Sequence, residues 1–313
     1  MQHKVVYLSH GGPKYYDQTR FSVLSLLHYL IEQNRNDIGI IIYTDRPEQS
    51  PAHDLVRSIK LTREELDGFR GPLEFVHRVK LEIMRRAQAD IGLPFVYVDC
   101  DTQWLKVPDE QFRILANGGH EQEGDTPVFY MHKFEGELNA GFYPQYLRLL
   151  QSKRNNLIKW NIKADSPWEM WNSGTVGIAP GMETFFDDAL RVTDDLLLDI
   201  RHRMFLEQLA ISITATSRFR VRPFDDCLAH YWNHGSELPI LLREFFERLS
   251  PDLPLEDLAR ECAQFRVEKS KLEQLQKKRA NRFRRWRAKV RNSIHKRKVD
   301  FKAFWLRRQR NQI

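Results

Sequence analysis

Apolar and polar residues follow two different periods along the first hundred residues. Short apolar runs at VVYL (5–8), IGIIIYTD (38–45) and FVYV (95–98) predict strands, because each run is brief and bounded by turn residues. Between them, apolar residues recur at helical spacing from Tyr16 to Gln33 and across 73–90. Apolar strands that alternate with helices predict an α/β fold whose mainly parallel sheet is covered on both faces.

The second half of the chain predicts longer elements separated by loops. VFYMHKF (128–134) and WNSGTVGI (171–178) are typical of strands, and 182–215 has a helical pattern. SPDLPLEDL (250–258) contains two prolines and several acidic residues, which predict a hinge before another helix.

Charge divides the chain at about the same place. The formal net charge is +7, but residues 264–313 contain 19 Lys and Arg against 3 Asp and Glu, so the remainder has a net charge of −9. We therefore expect an acidic α/β domain at 1–249 and a basic helical extension at 250–313. A strongly basic extension indicates an anionic partner.

Cysteine usage and hydropathy indicate a cytoplasmic protein. Cys100, Cys227 and Cys262 are scattered and have no paired spacing, which fits a reducing compartment. The apolar stretch near the N-terminus is too short for a signal peptide, and the run at 38–43 is far shorter than a membrane span.

Polar residues follow the predicted strands at the end where parallel sheets bind ligands. They are Ser9 to Gly12 after the first strand, Asp45 after the second, and Asp99 and Asp101 after the third. In an extended chain, Asp99 and Asp101 lie on one side, where two carboxylates repel each other unless a cation separates them. Mg²⁺ and Mn²⁺ prefer such oxygen ligands. The residues alone leave open a second interpretation, a pair of solvated loop acids.

Seven motifs, in order, resemble those of the GT-A glycosyltransferases. They are VVYLSHGGPKYY, IIYTD, HRVKLEIMRR, VYVDCDTQWL, MWNSGTVGI, FLEQLAISI and LAHYWNHG, and together they span about residues 3 to 236. The chain is most similar to retaining bacterial enzymes of the lipopolysaccharide-core galactosyl- and glucosyltransferase type. The resemblance implies a Rossmann-like GT-A fold, a nucleotide-sugar donor that is UDP-linked, and a Mn²⁺ or Mg²⁺ ion.

The resemblance also implies the residues that bind the metal and the nucleotide. Asp99, Asp101 and His230 would hold the metal, with His234 as a rival to His230. The residues expected to bind the nucleotide sugar are Ser9, His10, Gly11, Tyr15, Asp45, Arg78, Lys80, Asp99 and Ser173. Tyr16 is an alternative to Tyr15 for stacking on the base.

Three further residues correspond to the sugar pocket and the reacting bond. Asn172, with the neighbouring Ser173, would contact the sugar, and Glu207 and Gln208 would lie beneath the anomeric carbon. A Glu-Gln pair at this position favours a retaining reaction.

The basic extension has an amphipathic pattern of its own. Leu272, Leu275, Phe283, Trp286, Val290 and Ile294 recur on one helix face, interrupted by Arg279, and 301–308 adds a second cluster of aromatic and basic residues. Aromatic residues surrounded by cations suit an anionic membrane surface. The same composition also fits packing against the acidic domain or another subunit, or binding to nucleic acid.

The sequence therefore predicts a metal-dependent hexosyltransferase. It would transfer a hexose from a UDP-sugar to a lipid-linked or cell-surface glycan, while attached peripherally to the inner face of the membrane. A sugar-nucleotide pyrophosphorylase is one alternative, although SHGGPKYY only weakly matches the Gly-rich basic loop of that class. The other is a non-enzymatic nucleic-acid-binding protein, which the acidic α/β domain disfavours.

Overall fold

The computed structural model describes residues 1–290, apart from 141–142, 164, 201–202 and 279–281. In this part of the chain, residues group into two compact units. The first unit contains Met1–Leu61, Tyr97–Asp109 and the residues from Asp225 onward, and the second contains Thr62–Val96 and Glu110–Phe224.

The strands form a mixed sheet in which parallel pairing predominates. In the first unit they are β1 (His3–Ser9), β2 (Ile38–Thr44), β3 (Val56–Lys60), β5 (Thr102–Trp104) and β9 (Leu228–His230), and in the second they are β6 (Val128–Glu137), β7 (Glu169–Ile178) and β8 (Arg220–Pro223). β4 (Phe95–Val98) crosses the boundary. The strand order is β3-β2-β1-β4-β7-β6-β8, with β5 and β9 as a separate pair. This arrangement confirms the predicted α/β fold with a mostly parallel sheet.

Helices cover both units. The helices of the first unit are α1 (Pro13–Glu32), α8 (Leu238–Phe246), α9 (Leu255–Gln264), α10 (Lys269–Lys277) and a helix at 282–290. The helices of the second unit are α2 (Arg63–Phe69), α3 (Arg78–Ile91), α4 (Asp109–Ala116), α5 (Pro144–Ser152), α6 (Phe185–Leu197) and α7 (Leu206–Thr216). Of these, α4 begins at the boundary between the units.

Two predicted helices have different limits in the structure. The helix expected across 73–90 begins at Arg78, and Glu74, inside the expected range, has left-handed backbone with φ of 53°. The pattern at 182–215 is two helices, α6 and α7, and Phe205 before α7 also has a positive φ of 64°. A residue with left-handed backbone interrupts a right-handed helix, whatever the hydrophobic spacing around it.

Each unit has its own apolar core. In the first, α1 packs against α8 and α9 through the rings of Phe21, Phe245 and Phe265, whose centroids lie 4.3 to 6.1 Å apart. In the second, a larger cluster centres on the buried side chains of Trp160 and Leu209. Aromatic contacts of this kind combine large buried area with favourable edge-to-face geometry.

A buried chain of hydrogen bonds fixes the turn after β4. Trp104 Nε1 donates to the Tyr7 hydroxyl at 2.7 Å, which lies 3.0 Å from Ser22 Oγ. Ser22 Oγ lies 2.7 Å from Thr102 Oγ1, and Thr102 Oγ1 donates to the Asp99 carbonyl at 2.8 Å. This series of hydrogen bonds therefore holds the backbone between Asp99 and Thr102 against β1 and α1.

We expect Tyr7→Phe to destabilise the protein. The variant leaves the indole N–H of Trp104 and the hydroxyl of Ser22 without their buried partner, which costs about 1–3 kcal/mol. Urea unfolding followed by tryptophan fluorescence measures this cost. Tyr29→Phe, a half-buried tyrosine in the same helix-rich region, is the control and should change stability by less than about 0.5 kcal/mol. Equal stability of the two variants would contradict the stabilising role of the hydrogen bonds made by Tyr7.

Candidate active site

Two carboxylates and an imidazole converge where β5 and β9 pair. Thr102 lies opposite His230 in this antiparallel pair, and the Tyr231 amide donates to the Asp101 carbonyl at 2.9 Å. One ligand atom each from Asp99, Asp101 and His230 lies within 4.8 Å of the others. His230 Nε2 is 3.2 Å from Asp101 Oδ1; the His230 side chain is almost fully buried, and that of Asp101 is partly accessible. The short β5–β9 pair thus brings together residues from distant parts of the sequence.

The donor set of this group fits a divalent cation. Two carboxylates offer the oxygen ligands preferred by Mg²⁺ and Mn²⁺, and a neutral imidazole is a ligand that suits Mn²⁺ better than Mg²⁺. Burial, together with the carboxylates of Asp101 and Asp99, raises the pKa of the intervening Cys100 thiol well above its usual value. Cys100 therefore stays a neutral thiol beside the group, at 3.7 Å from Gln18 Oε1.

His234, the rival ligand, is engaged elsewhere. Its side chain is buried, and its Nδ1 lies 3.0 Å from Nε2 of Gln276 in α10. In the part of the chain that the structure describes, the metal-type group contains His230 and not His234.

The carboxyl ends of β1 and β2 carry the residues expected to contact a nucleotide. Ser9 ends β1, and its hydroxyl is 3.4 Å from the Tyr15 carbonyl. His10 and Gly11 follow, and Gly11 has a φ of 91° that favours glycine. At the end of β2, the Tyr16 hydroxyl donates to Asp45 Oδ1 at 2.9 Å.

The two candidate stacking tyrosines differ in their surroundings. Tyr15 is partly accessible, and the Lys14 ammonium lies 4.4 Å from its ring centroid. Tyr16 is held by Asp45, and burial together with this hydrogen bond raises the pKa of its hydroxyl. Tyr15 is therefore the ring whose position is less constrained by the protein.

A second polar cluster forms in the second unit, where the β6–β7 ladder is irregular. Register shifts occur between Met131 and Lys133 and between Phe134 and Gly136. In the first, three residues of β7, 173–175, lie opposite His132 alone, so the regular pairing with β6 is interrupted there. Side-chain oxygens accept from the backbone N–H groups of two of these residues. Ser173 N donates to Gln208 Oε1 at 3.2 Å, and Gly174 N donates to Asn172 Oδ1 at 2.9 Å.

Lys80 and Glu207 lie on either side of Ser173. The Lys80 ammonium donates to the Ser173 carbonyl at 2.6 Å and lies 3.2 Å from its hydroxyl, which donates to Glu207 Oε1 at 3.3 Å. All three side chains are buried. Among the described residues, no donor lies within hydrogen-bond distance of the buried Glu207 Oε2. A buried carboxylate oxygen in this state is a strong acceptor for a hydroxyl-bearing ligand.

The sequence pattern did not identify Glu135, whose carboxylate accepts hydrogen bonds from three side chains of this cluster. Its Oε1 accepts from Asn172 Nδ2 at 2.8 Å, and its Oε2 accepts from Gln208 Nε2 at 2.9 Å and from the Tyr143 hydroxyl at 3.0 Å. Burial and Glu135 raise the pKa of Tyr143 to about 12, so its hydroxyl stays protonated and donates. The available signal was the FEGE sequence, where a glycine breaks the alternation of a strand.

Arg78, which was expected to bind the diphosphate, makes several protein contacts at the start of α3. Its guanidinium donates to Asp194 at 2.8 and 3.0 Å, to Glu82 at 2.7 Å and to the Phe69 carbonyl at 2.9 Å. These contacts link α3 with α6 and with the end of α2. A diphosphate role for Arg78 and for Lys80 stays a prediction.

Comparison with known proteins gives similarity in fold at low sequence identity. No protein-family model matches the chain, and no curated protein matches it. Among solved structures, mouse xyloside xylosyltransferase 1 in its apo form is similar at 13% identity, covering 70% of this chain and 84% of that chain with a TM-score of 0.44. The galactosyltransferase LgtC in complex with donor and acceptor sugar analogs is similar at 10% identity, covering 80% and 98% with a TM-score of 0.44. An active-site mutant of LgtC is similar at 11% identity, covering 67% and 69% with a TM-score of 0.39. At these identities and TM-scores, the three similarities assign no activity to this protein.

Proposed function

We propose that the protein is a metal-dependent glycosyltransferase that uses a UDP-sugar. The observation that supports this most is the group of Asp99 and Asp101, which follow β4, and His230, which ends β9. When bound, a divalent cation there would neutralise the charge that develops on a departing nucleoside diphosphate. Ser9, His10 and Gly11, at the end of β1, would approach the nucleotide, with Tyr15 against the base and Asp45 at the end of β2.

The polar cluster of the second unit has the chemistry of a sugar site. It offers the amides of Asn172 and Gln208 and the carboxylates of Glu135 and Glu207, and such groups match the hydroxyls of a hexose. Glu207 Oε2 is a buried acceptor that a sugar hydroxyl would satisfy. We propose that this cluster takes the sugar of the donor.

The state of Glu207 favours a retaining reaction. A general base must reach the acceptor hydroxyl and take its proton. Glu207 is 6% exposed, and its Oε1 is already bonded to Ser173. We propose that Glu207 binds a hydroxyl of the donor sugar through Oε2 and does not act as a base, in keeping with the retaining reaction that the Glu-Gln pair favours.

The 282–290 helix supports a peripheral membrane association. Phe283, Trp286 and Val290 are 57%, 60% and 40% exposed, and the first two rings stack with centroids 5.7 Å apart. Arginine and lysine side chains surround them, at positions 282, 284, 287 and 289. Leu272 and Leu275, in contrast, are buried in α10, so the predicted apolar stripe divides into a packed half and an exposed half. Arg279, Ile294 and 301–308 lie outside the described residues.

We propose that the exposed half lies on an anionic membrane surface, where a lipid-linked glycan acceptor would be found. Each Lys or Arg near such a surface contributes about 1 kcal/mol, and the aromatic rings add apolar burial. In the part of the chain that the structure describes, no helix has the length and hydropathy to cross a bilayer.

The metal and nucleotide prediction concerns Asp101→Asn, which removes one ligand charge and keeps the shape of the side chain. Loss of a residue that only supports a metal ligand weakens metal binding about 10–100-fold. Because Asp101 would be a ligand itself, we expect Mn²⁺-dependent binding of UDP to weaken by more than this. Calorimetry with UDP and Mn²⁺, repeated with a chelator, measures this. Asp252→Asn, an exposed aspartate in the loop before α9, is the control and should bind normally.

Turnover is then measured as UDP release from UDP-glucose, UDP-galactose, UDP-xylose and UDP-N-acetylglucosamine. Wild-type protein that binds neither UDP nor GDP in a metal-dependent manner would exclude the proposed function.

The membrane prediction concerns Phe283→Ala combined with Trp286→Ala. Binding to phosphatidylglycerol vesicles should weaken by about tenfold or more, since each ring contributes about 1.5–3 kcal/mol when buried. Sedimentation with vesicles measures the binding, and Met204→Ala, a residue 59% exposed in the second unit, is the control. Undiminished binding by the double variant, or tight salt-sensitive binding to RNA in place of vesicles, would contradict the membrane role.

A further inference from the structure

The amides of Asn172 and Gln208 are each held at both ends. In each, the oxygen accepts from a backbone N–H of the irregular β7 segment, and the nitrogen donates to Glu135. A backbone N–H can only donate, and an ionised carboxylate can only accept. The orientation of both amides is therefore set by the network, because a flipped amide would place donor against donor and acceptor against acceptor.

Glu135 binds both amides from an irregular position in β6. It lies between Phe134 and Gly136, which pair with the adjacent residues Trp171 and Met170, so Glu135 is the extra residue of a β-bulge. A bulge re-aims a side chain that a regular strand would place on the alternate face. The Tyr143 hydroxyl supplies a third donor to the same carboxylate.

The locked orientation limits what Gln208 can do chemically. Its Oε1 accepts from the Ser173 N–H at 3.2 Å, which directs this oxygen toward the backbone of β7. Its NH₂ group has two N–H bonds, one of which donates to Glu135 and leaves the second to donate to a substrate oxygen.

We propose that Glu135 is a positioning residue: it holds the Gln208 amide in the orientation that leaves its second N–H to donate to a substrate oxygen. This rests on the proposed glycosyltransferase function and adds the orientation of one side chain within it. The carboxylate acts through Gln208, and through Asn172 in the same way, without itself touching the reacting bond.

Four variants test the inference: Glu135→Gln, Gln208→Glu, the two combined, and Glu137→Gln as control. Glu137 lies two residues further along β6 and is exposed, so its neutralisation leaves the cluster intact. Each variant is measured for Tm, for UDP binding with Mn²⁺, and for UDP release from the sugar that the wild type uses.

Glu135→Gln replaces an acceptor of three hydrogen bonds with a group that must also donate. We expect UDP release to fall at least about tenfold, the cost of losing a hydrogen bond to a charged group. UDP binding should stay near the wild-type value, and Tm should fall by only about 2–4 °C for each kcal/mol of lost hydrogen bonding. General unfolding of the second unit would instead produce a large fall in Tm.

Gln208→Glu places two carboxylates together and should lower both Tm and UDP release. Combined with Glu135→Gln, it restores one carboxylate facing one amide, so Tm should recover. UDP release should stay low, because a carboxylate at position 208 has no N–H to donate.

The opposite results overturn the inference. UDP release by Glu135→Gln within about twofold of the wild type would remove the positioning role. Recovery of UDP release in the double variant would show that position 208 acts through its oxygen. Wild-type protein that binds UDP with Mn²⁺ but releases none from any sugar would overturn the inference and leave the nucleotide site standing. Absence of UDP binding would contradict the proposed function itself and the inference with it.

Discussion

The candidate metal centre depends on a hydrogen-bond chain that can run in one direction. The indole of Trp104 can only donate and the carbonyl of Asp99 can only accept, so Tyr7, Ser22 and Thr102 must each donate toward Asp99. Linked hydroxyls of this kind strengthen one another in a buried setting and are costly to leave incomplete. The chain thereby defines the backbone from which the carboxylates of the metal group project.

The second unit obtains its polar cluster by the opposite means, through interruption of regular structure. Where β7 departs from the β6 ladder, backbone N–H groups of Ser173 and Gly174 become available, and the side chains of Gln208 and Asn172 accept from them. In a regular antiparallel pair, alternate residues of a strand bond to the partner strand. The cluster therefore forms where the register is irregular, and Glu135, on the partner strand, completes it.

How far the sequence predicts this structure depends on the length of each signal. β1, β2 and β4 could be predicted because continuous apolar runs end at turn residues, and the structure confirms these strands. The ordered motifs pointed to Asp99, Asp101 and His230, which lie together in the structure. β5 and β9 escaped prediction because strands of three residues show no period. The start of α2 was also missed, although Thr62 and Glu65 form a capping box that the sequence displays. For Glu135, the glycine of FEGE signals an irregular strand, but the direction of the carboxylate depends on the pairing of two strands and not on either strand alone.

The first unit is discontinuous in sequence, and this has a consequence for how the protein is made. Its strand β9 and its helices α8 to α10 follow the described residues of the second unit along the chain. A ribosome therefore synthesises those second-unit residues before it releases His230 or the residues of α9 that cover α1. Until then, the apolar face of α1 lacks its partner, and transiently exposed surface of this kind favours aggregation and chaperone binding. The metal group, whose members come from both ends of this gap, is among the last features of the molecule to form during synthesis.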